Sequence, residues 1–144
     1  MRTIGAVLLV AGLIACEQTP PEPGGALRLG TWGGDNAGMI VTDSGIHVHL
    51  GCTLGDVPER IVPDAAGRFD VPGRYNLTAY PVDRGIFHPA RFAGALILNS
   101  LSLTVTVTDT IAHETVVLGP AVVVYGREPR LGPCPICRVA PAMH

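Results

Sequence analysis

The plainest pattern in the chain is Leu101-Ser102-Leu103-Thr104-Val105-Thr106-Val107-Thr108, apolar at every odd position and hydroxyl-bearing at every even one. A period of two puts the aliphatic side chains on one face of a strand and the hydroxyls on the other. Ile46-His47-Val48-His49-Leu50-Gly51-Cys52 repeats the alternation after the turn residues Asp43-Ser44-Gly45. Leu27 to Trp32 and Ala37 to Thr42 flank Gly33-Gly34-Asp35-Asn36 and are expected to be strands. Arg68 to Val71 and Arg74 to Tyr80 flank Pro72-Gly73, with Asp64-Ala65-Ala66-Gly67 as the turn before them. Val57 to Val62 carries Pro58, which makes it edge-like or irregular. Arg91 to Leu98 is expected to pair with Leu101 to Asp109 across Asn99-Ser100, and Thr115 to Tyr125 forms the last strand, with a bulge or bend at Gly119-Pro120. No window shows apolar residues at helical spacing. About eight short strands separated by turn residues predict an all-β domain, a small antiparallel up-and-down barrel with no significant helix beyond the N-terminal segment.

That N-terminal segment follows a different rule. Arg2 precedes an uninterrupted apolar run from Ile4 to Ala15, which is too short to span a bilayer, for which roughly 20 residues are needed. A basic residue, a short apolar run and a small residue before the cut are the parts of a secretory signal. Leu13-Ile14-Ala15-Cys16 resembles the lipobox of bacterial lipoproteins, in which the cysteine is lipidated and becomes the mature N-terminus. The resemblance implies lipidation of Cys16 and partnership with a membrane through that lipid. Glu17, rather than the Asp that favours inner-membrane retention in lipoproteins of the enterobacterial type, leaves outer-membrane sorting open. The expected address is the bacterial cell envelope, lipid-anchored at the outer membrane on its periplasmic or surface face.

Residues 1–15 are therefore expected to be a signal peptide, and 16–25, rich in Pro and Gly, a tether that does not pack. Residues 26–134 would form the barrel and 135–144 a C-terminal tail. This is one domain's worth of chain. All basic residues of the sequence are Arg, its formal net charge is −2, and no basic run occurs, which argues against nucleic acid as a partner.

Candidate chemistry is sparse. No nucleophile elbow, phosphate loop, zinc-protease motif or dinucleotide fingerprint occurs. Acidic residues such as Asp43, Asp56, Asp64 and Asp83 fall where turns are expected. His47 and His49 alternate on one strand and so share a face, which makes them candidate metal ligands if a third arrives from His88, His113 or the Cys134, Cys137, His144 tail. With Ile46, Val48 and Leu50 in the core, both are otherwise solvated side chains on the outer wall. No cofactor is expected. With Cys16 lipidated, Cys52, Cys134 and Cys137 remain in an oxidising compartment, and three pairings are open. Cys134-Pro135-Ile136-Cys137 has the spacing of a redox pair, but no helix follows to lower the first thiol's pKa. The irregular stretch from Tyr80 to Pro89 is the candidate binding loop, with Tyr80, Arg84, Phe87 and His88 as the residues to watch.

Gly30-Thr31-Trp32 at the head of the first strand resembles the Gly-x-Trp element of lipocalin-like (calycin) barrels, in which the tryptophan closes one end. A wider likeness covers most of the mature chain through Leu50-Gly51-Cys52, Gly67-Arg68-Phe69-Asp70-Val71-Pro72-Gly73, Pro89-Ala90-Arg91-Phe92, Leu103-Thr104-Val105-Thr106 and Pro129-Arg130-Leu131 with Cys134. These resemble a group of small exported bacterial proteins of calycin-like fold without assigned activity. The resemblance implies fold and export and brings no catalytic residues. Because that group has cysteines at both places, Cys52–Cys134 becomes the favoured disulfide, leaving Cys137 over.

The expected function is a non-catalytic, membrane-anchored binding module for a small ligand or an envelope protein. The alternative is an inhibitor of a secreted hydrolase, a protease or lysozyme. A zinc enzyme built on His47 and His49 is the third reading. An apolar cavity open at one end would favour the first of these, a filled interior with a rigid protruding loop the second, and a third ligand on a metal bridging the two His the third.

Overall fold

The computed structural model describes residues 25–79 and 85–134. Eight strands follow one another around a closed antiparallel barrel: β1 (Gly30–Gly34), β2 (Ala37–Val41), β3 (Ile46–Leu50), β4 (Thr53–Val57), β5 (Arg68–Asn76), β6 (Phe87–Ile97), β7 (Ser100–Asp109) and β8 (Glu114–Tyr125). Each pairs with its neighbour in sequence, and β8 closes on β1 through Trp32↔Tyr125 and Gly33↔Val124. Closure removes the unpaired edges that an open sheet would present. Among the described residues there is no helix.

The alternation along each strand decides what fills the barrel. Leu101, Leu103, Val105 and Val107 of β7 point inward and are buried, while the hydroxyls between them line the outer wall. Phe92 and Tyr75 occupy the centre, with ring centroids 6.2 Å apart. Room for them comes from glycines at facing inward positions. A Cβ on Gly73 would lie 2.6 Å from the Phe92 ring, and one on Gly55 would overlap the Tyr75 ring. Small residues opposite large ones are how a narrow barrel closes its packing.

The barrel has two unlike ends. At the entry end lie the turn between β2 and β3, the 58–67 connection and the Leu98-Asn99 turn. The incoming chain plugs this end: Leu27 and Ile61 are buried, and the Leu27 amide donates to the Ile61 carbonyl at 2.9 Å. Trp32, 1% exposed, donates its indole N–H to the Arg28 carbonyl at 3.0 Å and meets Tyr125 edge-on. At the other end, the mouth, lie the turns at Asp35-Asn36 and Gly51-Cys52, the end of β5, the start of β6 and the turn after β7.

After β8 the chain reverses at Gly126, whose φ of 75° lies in the left-handed region that glycine adopts freely. It then runs as a strap over the outside of β1 and β2. Arg130 donates to Gly34 at 3.0 Å and accepts from Asn36 at 2.9 Å, while Arg127 and Arg130 both pair with Asp35. Such close approach needs bare backbone beneath: a Cβ on Gly38 would lie 2.7 Å from Pro129, and one on Gly33 would run into the strap's main chain. The strap ends at Cys134, disulfide-bonded to Cys52 at the mouth.

Several strand limits differ from those expected. Thr53–Val57 is a strand, and Val57 only its last residue; Asp56 accordingly sits on β4 and not in a turn. Arg68–Asn76 is one strand running through Pro72-Gly73. Proline is tolerated there because the β4 ladder stops at Asp56↔Arg74, which leaves Pro72 with a partner on β6 alone. Phe87 and His88 open β6, paired with Asn76 and Tyr75, and so belong to the wall and not to a loop. The bulge expected at Gly119-Pro120 appears as a register shift between β7 and β8, at a cis peptide.

Candidate functional site

Three places bring polar chemistry together. The first is the inner rim of the mouth. Tyr75, inward-facing on β5, shares a 2.9 Å hydrogen bond between its hydroxyl and Thr53 Oγ1, and Thr53 donates onward to the Leu50 carbonyl at 2.8 Å. Burial pushes the Tyr75 pKa above its ordinary value, so the neutral phenol is the form this site holds. His88 also faces inward and is buried; its Nδ1 accepts the Thr110 amide at 3.1 Å, which places the proton of the neutral ring on Nε2. The Asp109 carboxylate lies 3.8 Å from that nitrogen, and amide donors from Ala112 and Ile111 lower its pKa.

Beside this rim a concavity of about 620 Å3 opens between the β1–β2 turn, the β3–β4 turn and β8. Its apolar side is Leu50, Leu118, Pro120 and Ala121, and its charged edge is Asp35 and Arg127. The disulfide fixes one wall, since Cys52 follows directly on Gly51. A second depression, about 590 Å3, lies on the outer wall over Ala93, Ala95, Ser102 and Thr104. Arg68, Phe69 and Asp70 line it as well, and Phe69 packs against the core beneath.

The third place is on the outer wall. His47 and His49 project from β3, as the alternation requires, and their Nε2 atoms lie 2.9 Å apart. Asp56, opposite His47 on β4, accepts from His47 Nδ1 at 2.7 Å, and Arg74 holds the other carboxylate oxygen at 3.1–3.2 Å. That fixes the His47 tautomer, leaving Nε2 to accept from His49. Burial, then the neighbouring His47, lowers the His49 pKa. The row can pass a proton, yet among the described residues neither ring is hydrogen-bonded to a hydroxyl or thiol that it would activate. Nor do three His, Cys, Asp or Glu side chains converge on a metal position there. His88 lies inside the barrel and His113 on the turn after β7, apart from this pair.

Of the residues singled out from sequence, Cys52 and Cys134 are joined, and His47 and His49 are brought together. Phe87 is exposed beneath the Arg74 guanidinium at 4.6 Å, on the wall opposite to the side His88 faces. Cys16, Tyr80, Arg84, Cys137 and His144 lie outside the described residues, as do the segments expected to be the signal peptide, most of the tether and the C-terminal tail. Sequence reading missed Asp56 as the partner of His47, with Arg74 on its other oxygen, and Asp35 and Arg127 as the edge of the mouth. Asp56 could have been found from strand pairing, because it stands directly across from His47 once β4 is recognised. No known protein family, curated protein or solved structure matches the chain.

Proposed function

We propose that this chain is an exported lipoprotein, anchored through Cys16, whose calycin-like barrel acts by binding, with the mouth as its recognition end. The observation that carries the reading is the concavity beside the mouth. It joins apolar side chains that pack against the core, Leu50, Leu118 and Ala121, to a charged edge, Asp35 and Arg127, and Leu50 ties it to the buried Tyr75–Thr53 hydrogen bond behind it. Binding sites have that composition: mostly apolar, largely pre-formed, with a few placed polar groups. The partner is a small envelope molecule with an apolar body and a polar head. Affinity capture from the native envelope tests this. The wild-type protein should retain a ligand that Val122→Arg, which puts bulk and charge at the edge of the concavity, does not. Equal recovery by both would count against the mouth.

One observation favours a second reading. Phe92, Tyr75 and Trp32 fill the barrel, so no calyx is open for a ligand to enter deeply. A filled barrel with a cross-linked rim is also what a hydrolase inhibitor needs in order to present a stiff edge to an enzyme cleft. Capture of a secreted protease or lysozyme, in place of a small molecule, would select it.

A further inference from the structure

Ile97 and Leu98 are the most exposed large hydrophobic residues among those described, at 73% and 70%. They are consecutive and form the tip of the β6–β7 hairpin at the entry end. Leu98 has a φ of 56°, in the left-handed region where glycine or asparagine ordinarily stands and a leucine is strained. Its side chain gains no internal burial in return. An apolar side chain held outward in an unfavourable backbone conformation points to a contact outside the fold.

The position of this tip says what that contact is. The chain enters the barrel at the same end, where Leu27 is tied to Ile61, and Arg28 donates to the Asn99 side chain of the hairpin turn at 3.2 Å. The residues that follow the tether are therefore bonded to the tip itself. Leu29 and Val62, also exposed, belong to this end. A tether of about ten residues reaches at most about 35 Å. An anchor on so long a lead does not by itself dictate which end of a small barrel meets the bilayer. We infer that the entry end faces the lipid surface, with Ile97 and Leu98 seated in its interfacial layer, which turns the mouth outward. This rests on the reading of Cys16 as lipidated.

Tryptophan fluorescence in vesicles tests it with the full-length lipidated protein. Ile97→Trp is compared with Ile111→Trp, a position also largely exposed, on the turn after β7 at the mouth. Trp32 is buried in both and contributes the same background. The vesicles are phosphatidylethanolamine with phosphatidylglycerol, with or without brominated acyl chains. The expected result is a blue shift and at least twofold quenching by bromolipid at position 97, with neither at position 111. Protein that floats with the vesicles but is quenched equally, or not at all, at both positions overturns the orientation while the anchor stands. A blue shift at 97 that grows with protein concentration and ignores bromine assigns the tip to a second copy of the chain and equally overturns it. Wild-type protein that floats no better than Cys16→Ser removes the anchor reading, and the orientation with it.

Discussion

Replacing Cys52 and Cys134 by alanine, with Cys137→Ala in both arms of the comparison, removes the covalent hold on the strap. The bond joins residues 82 apart in sequence. For a loop of that length the chain-entropy model assigns the cross-link about 4.5 kcal/mol, through the freedom it denies the unfolded chain. What remains to hold the strap is small. Three backbone hydrogen bonds, Gly126 to Thr31, Asn36 to Arg130 and Arg130 to Gly34, contribute about 1 kcal/mol each net. The Asp35 pairs with Arg127 and Arg130 are exposed, and such pairs contribute about 0–1 kcal/mol. Ordering the backbone costs about 1–2 kcal/mol per residue, and the strap runs from Gly126 to Cys134. Without the disulfide the strap should therefore leave β1 and β2 while the barrel stays closed. Urea denaturation should show a loss approaching 4 kcal/mol, and the midpoint of thermal unfolding should fall by about 20 °C. Hydrogen exchange should show the Arg130 and Asn36 amides deprotected while β6 and β7 amides exchange slowly. A stability loss under about 1 kcal/mol, or an Arg130 amide as protected as before, would refute the account of the strap.

Gly73→Ala should destabilise by about 1–3 kcal/mol, because the added methyl has no room beside the Phe92 ring and the overpacked centre must shift; a neutral result in chemical denaturation would show that the centre has slack. Leu98→Asn should stabilise the isolated domain by about 1 kcal/mol, since asparagine tolerates the left-handed backbone; a lower melting temperature would show that the leucine serves the fold itself. Burial raises the Tyr75 pKa, so on alkaline titration the unfolded chain ionises first: the contribution is fully present below about pH 10 and is lost as pH rises through the folded-state value. Unfolding free energy of Tyr75→Phe measured across that range should lack this part of the decline, and an unchanged slope would place the alkaline loss elsewhere.

Residues whose neighbours enforce a period of two were legible in the sequence. The alternation in β7 and β3 revealed which side chains enter the barrel, and the outward placing of His47 and His49 followed from it. The strand β4 was hidden because Thr53-Leu54-Gly55-Asp56-Val57 has little β propensity. Gly55 is there to admit the Tyr75 ring, a tertiary demand that local pattern does not display. Pro72-Gly73 and Pro89 looked like breaks, yet they stand in β5 and β6 beyond the last pairs of the β4–β5 and β6–β7 ladders. The strap carries no periodicity. Its trace in the sequence is Gly33 and Gly38, two outward-facing glycines on paired strands whose missing side chains only make sense under another segment. The mouth was illegible for a related reason: Asp35, Leu50, Leu118 and Arg127 meet only because the barrel closes and its tail is pinned.

The proposal that the mouth is the recognition end is tested most directly by site-specific photo-crosslinking of the full-length protein in the cells that produce it. A photoreactive amino acid replaces Val122, at the edge of the concavity, or Thr106, on the outer wall of β7. A discrete adduct of one mass at position 122, with none at 106, is the outcome predicted. An adduct at 106 with none at 122 would contradict it.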